Sequence, residues 1–239
     1  MSGLHGHVQA LQRNPGMGEE IALLSQLNSA LIMASGHGSQ MSLGATIHEF
    51  VRRLTDRQDE LVVGMCVQGL NTLLDINPRA GDTLVERGAV PRLCSILLKI
   101  GDIEVREKCV TTLSLIAQDH PRAVLEAGGA KGLLESLGFF HTDTQKKALV
   151  TVARIFNPSV CGRREDVPLL REALPHLQSA LRDDPTSRPA SLCLEQMITA
   201  FARPLKPLPP PPRPAARAAR RPATLARFLS DLGGGGRAR

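Results

Sequence analysis

The side chains with which this sequence could do chemistry are chiefly seven histidines and five cysteines, and their spacing decides how much they offer. The cysteines (Cys66, Cys94, Cys109, Cys161 and Cys193) are odd in number and at least 15 residues apart, with no C-x-x-C pair. Such spacing supplies neither a zinc site nor a disulfide framework; it fits reduced thiols that serve as small core residues. His5 and His7 form an H-x-H pair with no cysteine or carboxylate beside it, so a solvated amino terminus is expected there, not a metal site. The remaining histidines (His37, His48, His120, His141, His176) are scattered. Gly36-His37-Gly38 and the glycines at 233–236 follow no strand and lack the Lys-Ser/Thr of a phosphate cradle. Glu19 and Glu20 suit the first turn of a helix, where the macrodipole favours acids. With no nucleophile–base constellation in view, the chain is expected to carry no catalytic, cofactor-binding or metal-ligating residue.

What could position side chains for another task is a repeat. Cys66 to Pro78 aligns with Cys109 to Pro121 at an offset of 43, and Leu84 to Leu93 aligns with Val124 to Leu133 at an offset of 40. Weaker copies follow: Lys147 to Ile155 matches Lys108 to Ile116, Leu174 to Leu181 matches Val90 to Leu97, and a half-unit appears at Ala190 to Ile198. An earlier unit joins a long helix from Glu19 to Ala34 to a closing helix from Ile47 to Leu54. Leu70, Leu73 and Leu74, like Leu113, Ile116 and Ala117, keep the i, i+3, i+4 spacing of a helix that buries one stripe. Pro78 and Pro121 stop that helix. A short helix follows (Asp82 to Glu86; Ala123 to Glu126), ended by Gly88 or Gly128 in the left-handed conformation that glycine tolerates. Pro91 and Pro175 fit the first turn of the next helix. Long, short and long helices over about 40 residues make an armadillo or HEAT unit, with the glycine turn favouring armadillo.

The predicted fold is therefore an all-α, right-handed superhelical armadillo-repeat solenoid. Its expected boundaries are a flexible amino terminus (1–17), an array over 18–202 (units 18–56, 57–99, 100–140 and 141–182, with a partial unit at 183–202), and a disordered basic tail (203–239). Aromatics make up only 3% of the chain and all are Phe, which weakens any β reading.

The stretch from Ala123 to Leu149, with Gly128-Gly129, the Phe139-Phe140 junction, Gln145 and Ala148-Leu149, resembles the armadillo region of the ubiquitin-fusion-degradation class of HECT-type ubiquitin ligases. Glu165 to Leu181 and Ser191 to Phe201 resemble it too, and the similarity runs collinearly from about Gly18 to Phe201. Arg163 and Arg164 depart from the family's pattern. The resemblance implies a substrate-recruiting scaffold upstream of a HECT domain, acting in ubiquitin-dependent protein degradation on substrates that include ubiquitin fusions. The family's catalytic cysteine lies in a domain longer than this chain, so none of the five cysteines inherits its role. The alternative is a free-standing armadillo adaptor with an unrelated protein partner.

In a solenoid the third helices of successive units line a concave face that holds partners. Aligning the helices that end at Leu54, Leu97, Leu137 and Leu181 puts Glu49 and Arg52, Arg92 and Ser95, Glu135, and His176 and Ser179 at matching positions. Gly132 offers no side chain, so Phe139, one turn beyond Glu135, completes the expected protein- or peptide-binding set. Importin-type cargo binding needs a ladder of Trp and Asn on the third helices. The chain has no Trp, and Asn14, Asn28, Asn71, Asn77 and Asn157 all fall outside the helices so assigned.

Charge adds one exclusion. The formal charge is +6, but residues 203–239 hold nine basic residues and one acid, leaving 20 basic and 22 acidic residues for positions 1–202. The surplus lies wholly in the tail, so nucleic acid is not an expected partner. The tail has three readings: a polyproline ligand around Pro209 to Pro212, a basic amphipathic helix or nuclear signal from Ala215 to Leu229, or a gene model that runs into untranslated sequence. No apolar run is long enough to cross a membrane and the amino end lacks a signal-peptide layout, so the expected location is the cytoplasm, the nucleus or both.

Overall fold

A computed structural model of the chain describes residues 2–34, 43–55 and 59–202, whose regular structure is entirely helical. The helices run in the order α1 (Ser2–Gln12), α2 (Met17–Ala34), α3 (Gly44–Arg53), α4 (Glu60–Ile76), α5 (Ala80–Glu86), α6 (Ala89–Lys99), α7 (Ile103–Asp119), α8 (Pro121–Glu126), α9 (Gly129–Glu135), α10 (Thr142–Ile155), α11 (Val167–Ala180) and α12 (Asp184–Ala202). The tail at 203–239, and with it the three readings made of it, lies outside the described residues, as does Gly36-His37-Gly38.

The repeat is visible in the local chemistry. Asp59 accepts the Leu61 N–H at 2.8 Å to start α4, and Asp102 accepts the Val105 N–H at 3.0 Å to start α7. The two caps stand 43 residues apart, which is the repeat offset, and each satisfies one of the donors a helix start leaves over. Gly88 (φ 71°) and Gly128 (φ 78°) adopt the left-handed conformation where the short α5 and α8 give way to α6 and α9. A side chain at either position would be strained.

Two layers result. The long helices α2, α4, α7, α10 and α12 stack in sequence order, each on the next, while α6, α9 and α11 form a second row. Leu70, Leu73, Leu113, Ile116, Leu149 and Val152 close the space between the rows and are fully or almost fully buried. Burial of each such side chain stabilises the array by about 1.5–3 kcal/mol. Because each unit shares its apolar faces with its neighbours, stability accumulates along the stack.

The structure departs from expectation at both ends. The amino terminus is helical from Ser2, and α1 buries Val8 and Leu11 against α2 and α3. Its apolar residues are too few to be conspicuous in sequence, but they fall on one face. In the fourth unit, no glycine turn precedes the second-row helix. The chain instead passes a 3-10 turn (Arg164–Asp166) directly into α11, so Pro168 takes the first-turn role and Pro175 sits in the helix interior. Pro175 is exposed, and the bond it cannot donate faces away from the core.

Candidate protein-interaction surface

The eight side chains expected on the concave face all lie on or beside the second row, α3, α6, α9 and α11. The long helices pack tightly on one another throughout, whereas α3 packs on α1, α4 and α5 and has little contact with α6.

Several of these residues prove to be internal ties. Glu49 is 2% exposed, and its carboxylate accepts from Arg53 Nη1 at 2.5 Å and from Arg52 Nη2 at 3.2 Å. It therefore presents no carboxylate to a partner. Arg52 also donates to Asn14 Oδ1 at 2.9 Å, holding the left-handed residue (φ 53°) that turns the chain from α1 to α2. Arg92 Nη1 donates to the carbonyl of Val51 at 3.2 Å, a cation on the carbonyl end of α3. Ser95 is half-buried on α6. Phe139 is 60% exposed on the 3-10 turn that follows α9, with the Arg106 guanidinium 5.4 Å from its ring centre.

Three of the set do come together. Glu135 and His176 border a groove of 240 Å³ between α9 and α11, floored by Leu134, Leu169 and Ala173. A second opening of 170 Å³ continues from the same two residues past Ser179 to Asp183.

The long-helix face carries a feature the sequence reading missed. Asn28 Nδ2 donates to the carbonyl of Met65 at 2.9 Å, and Asn71 Nδ2, one unit on, donates to the carbonyl of Lys108 at 3.2 Å. Further along, Arg154 donates to Ser114 O at 3.4 Å and the Cys193 thiol to Leu149 O at 3.0 Å. Each long helix is thus pinned to a neighbour by a side chain on a main-chain carbonyl. Asn28 and Asn71 are 43 residues apart, the repeat offset again, and that coincidence was the available signal. Asn28 and Asn71 thus sit on the long helices α2 and α4, outside the row that carries the eight candidate residues. Asn71 is committed internally, since its Oδ1 accepts the Thr112 hydroxyl at 2.6 Å. Asn28 Oδ1 is buried and has no hydrogen-bond partner. Gly69 occupies the place that Thr112 takes one unit later, and a Cβ there would meet Phe50 at 2.5 Å and Asn28 Oδ1 at 2.6 Å.

Arg122 fastens the third unit to the fourth. Its Nη1 reaches both oxygens of Asp166 at 2.9 and 3.0 Å, Nε reaches Glu126 at 2.7 Å, and Nη2 reaches Glu165 at 3.2 Å. Burial raises the pKa of Asp166, but the backbone N–H groups of Gly162 and Arg163 and the Arg122 guanidinium outweigh it and hold the carboxyl below its ordinary value. Arg163, where the sequence departs from the family pattern, joins the network through Glu165 at 3.2 Å. All five cysteines are buried free thiols, and burial pushes Cys94, Cys161 and Cys193 up to about 12. Among the described residues no group of three or more His, Cys, Asp or Glu could hold a metal ion.

Comparison with known proteins follows the same lines. Among solved structures, a computationally designed armadillo repeat protein for modular peptide recognition superposes with a TM-score of 0.63 at 22% identity, covering 84% of this chain and 90% of that one. A designed armadillo repeat protein in complex with the peptide (KR)4 gives 0.59 at 22%, covering 83% and 88%. The fold is an armadillo solenoid. By sequence, the E3 ubiquitin-protein ligase UPL3 of Arabidopsis thaliana is 30% identical over 190 residues, and the E3 ubiquitin-protein ligase TRIP12 of Danio rerio is 22% identical over 203. These matches cover 77% and 81% of the chain but 10% of either relative, so the chain spans about a tenth of their length. The profile of the family described as E3 ubiquitin-protein ligase TRIP12-like, TPR repeats, matches residues 4–126, which takes in α1. The helices do not follow the TPR plan of two per 34 residues; three helices recur at offsets of 40 to 43 residues. With the profile matching just over half of its length, the chain belongs to the TRIP12-like E3 ubiquitin-protein ligase family and corresponds to part of that family's amino-terminal repeat region.

Proposed function

We propose that the chain is a non-catalytic scaffold that recruits substrates for HECT-type ubiquitin ligation, with ubiquitin transfer performed by a catalytic domain that its relatives carry outside the matched region. The array contributes binding energy and placement. The observation that carries this reading is that cross-helix bonds lock the units together while grooves on both rows stay open, one bordered by the exposed Leu61 of α4 and the other lined by Leu134 and Leu169. A rigid surface with exposed apolar contacts binds without paying the entropy of folding. Two designed solenoids of the same fold, one bound to a peptide and one made for peptide recognition, support a protein or peptide ligand.

Competition tests it. Full-length UPL3 would be assayed for ubiquitination of a ubiquitin-fusion substrate with this chain added in excess. If the chain holds the same substrates, the rate falls as it is titrated in; an unchanged rate at saturating chain would refute the proposal.

A further inference from the structure

Arg106 stands early in α7, half-buried, at the edge of the stack where α6 leads into α7 and α9 into α10. Two contacts hold its guanidinium. Nε donates to the Ile100 carbonyl in the turn before α7, and the central carbon lies over the ring of Phe139, on the turn after α9, at 5.4 Å from its centre. Among the described residues neither Nη has a hydrogen-bond or ion-pair partner. The acids that flank Arg106 on α7 are committed elsewhere. Asp102 accepts the Val105 N–H at 3.0 Å, Glu104 pairs with Lys108 at 2.8 Å, and Glu107 accepts the His141 N–H at 2.8 Å and meets its ring nitrogen at 3.1 Å. Arg106 is therefore a fixed cation whose donor fork is unused. Apolar surface lies on both sides of it: Phe139 is 60% exposed, and Ile103, one turn earlier on the same helix face, is 43% exposed.

The geometry points to a seat for a carboxylate of a partner protein, an aspartate or glutamate side chain in an extended segment with an apolar residue two positions away. A planar guanidinium pairs a carboxylate through two parallel bonds, and the two Nη groups are the donors left for that purpose. An exposed arginine is ordinarily a weak anchor because ordering its long side chain costs entropy. Here the Ile100 carbonyl and the Phe139 ring have already ordered it. In an extended segment residues two apart share a face, so an apolar neighbour of the carboxylate lies on Phe139 or Ile103. A dianionic phosphate suits the seat less well, since Asp102, Glu104 and Glu107 surround Arg106 in sequence and repel a second negative charge. The assignment rests on the scaffold reading above only in taking the partner to be a protein, and it specifies the chemistry of one contact.

The test uses the isotope-labelled full chain, titrated with the capped peptide Gly-Leu-Ser-Asp-Ser-Leu-Gly and followed by amide shifts in NMR. The aspartate peptide should shift the amides of residues 103–107 and 137–141 to saturation. Its asparagine counterpart should bind about fivefold more weakly, the size expected of one exposed ion pair, and a phosphoserine counterpart should bind more weakly than the aspartate peptide. Arg106→Gln should weaken the aspartate peptide to the level of the asparagine one, while Arg182→Gln, which removes an exposed cation beyond α11, should change nothing. Phe139→Ser, at an exposed position, should also weaken binding and serves should Arg106→Gln fold poorly. No binding, shifts that gather elsewhere on the chain, equal binding of the asparagine peptide, or indifference to both Arg106→Gln and Phe139→Ser would overturn the assignment. So would a phosphoserine peptide that binds as tightly as the aspartate one or more tightly, which would make the seat one for phosphate. If the competition with UPL3 succeeds while the aspartate peptide fails, this inference falls and the scaffold reading stands; the reverse pair of results keeps the seat and removes the scaffold reading.

Discussion

Arg53 offers the sharpest test of how the amino-terminal end of the stack is closed. The residue is 4% exposed, and its guanidinium reaches three helices: Nε to Glu20 Oε1 of α2 at 2.6 Å, Nη1 to Glu49 of α3 at 2.5 Å, and Nη2 to the Leu11 carbonyl of α1 at 2.9 Å. Burial alone would lower its pKa, yet the bonds to Glu49 and Glu20 outweigh that and raise it, so the group stays charged. Arg53→Met keeps the bulk and removes the charge, leaving Glu49 with Arg52 and the Leu11 carbonyl without this donor. Breaking a buried pair from one side costs about 3–5 kcal/mol. For an array of this size each kcal/mol moves Tm by about 2–4 °C, so a fall of roughly 6–20 °C is expected in thermal unfolding followed by circular dichroism. Exchange of the α1 amides should accelerate first, because Arg53 anchors that helix by its last turn. Arg53→Met combined with Glu49→Leu should recover part of the loss, since it removes the most deeply buried carboxylate together with its cation. A single variant that melts within 2 °C of the parent, with α1 exchange unchanged, would refute the view that this cluster closes the array.

Gly69→Ala should destabilise, although alanine is favoured over glycine in a helix by about 1 kcal/mol, because its Cβ would lie 2.5 Å from Phe50. Overpacking costs about 1–3 kcal/mol, and Phe50→Leu in the same background should restore part of it; urea unfolding reads both. Asp166 is held below its ordinary pKa, so its network contributes fully above the unfolded carboxylate value of about 3.9 and loses that contribution as pH falls through the native value. Asp166→Asn should lower stability at neutral pH and flatten the acid limb of Tm against pH. A variant as acid-labile as the parent would place that lability elsewhere. The five buried thiols, with Cys94, Cys161 and Cys193 pushed up to about 12, should be silent towards a thiol-reactive disulfide reagent in the native chain at pH 8 and should all react in guanidinium chloride.

Most of the helices were legible in sequence because their signals are local. The i, i+3, i+4 stripes and the glycines at 88 and 128 act within a few residues, and each appears where the repeat puts it. The surface was not legible, because whether a side chain faces outward depends on what neighbouring units bring to it and not on its own unit. Glu49 shows the difficulty. By alignment it holds the place of Arg92, an exposed residue, but Arg53 four positions on draws its carboxylate inward, and that pairing depends on α1, whose importance the sequence did not reveal. Arg163 shows the opposite case. A departure from the family's pattern marked a residue whose backbone N–H and side chain both serve the clamp between the third and fourth units.

The inter-unit bonds also explain how such an array can keep its fold while its sequence drifts. Asn28, Asn71, Arg92, Arg154 and Cys193 all donate to main-chain carbonyls of a neighbouring helix. A carbonyl is present whatever the residue, so the acceptor side of each bond survives substitution and only the donor is constrained. Register is then fixed by few positions per unit, which frees the outward residues of every helix to change. Identity of 30% to one relative and 22% to another over most of the chain is compatible with one shared stack on those terms. The same logic separates the two kinds of residue that sequence inspection placed together on one face. Glu49, Arg52 and Arg92 are ties, and changing them should alter stability. Glu135, His176 and Ser179 border open grooves without tying the units together, so these positions can change at little cost to the fold.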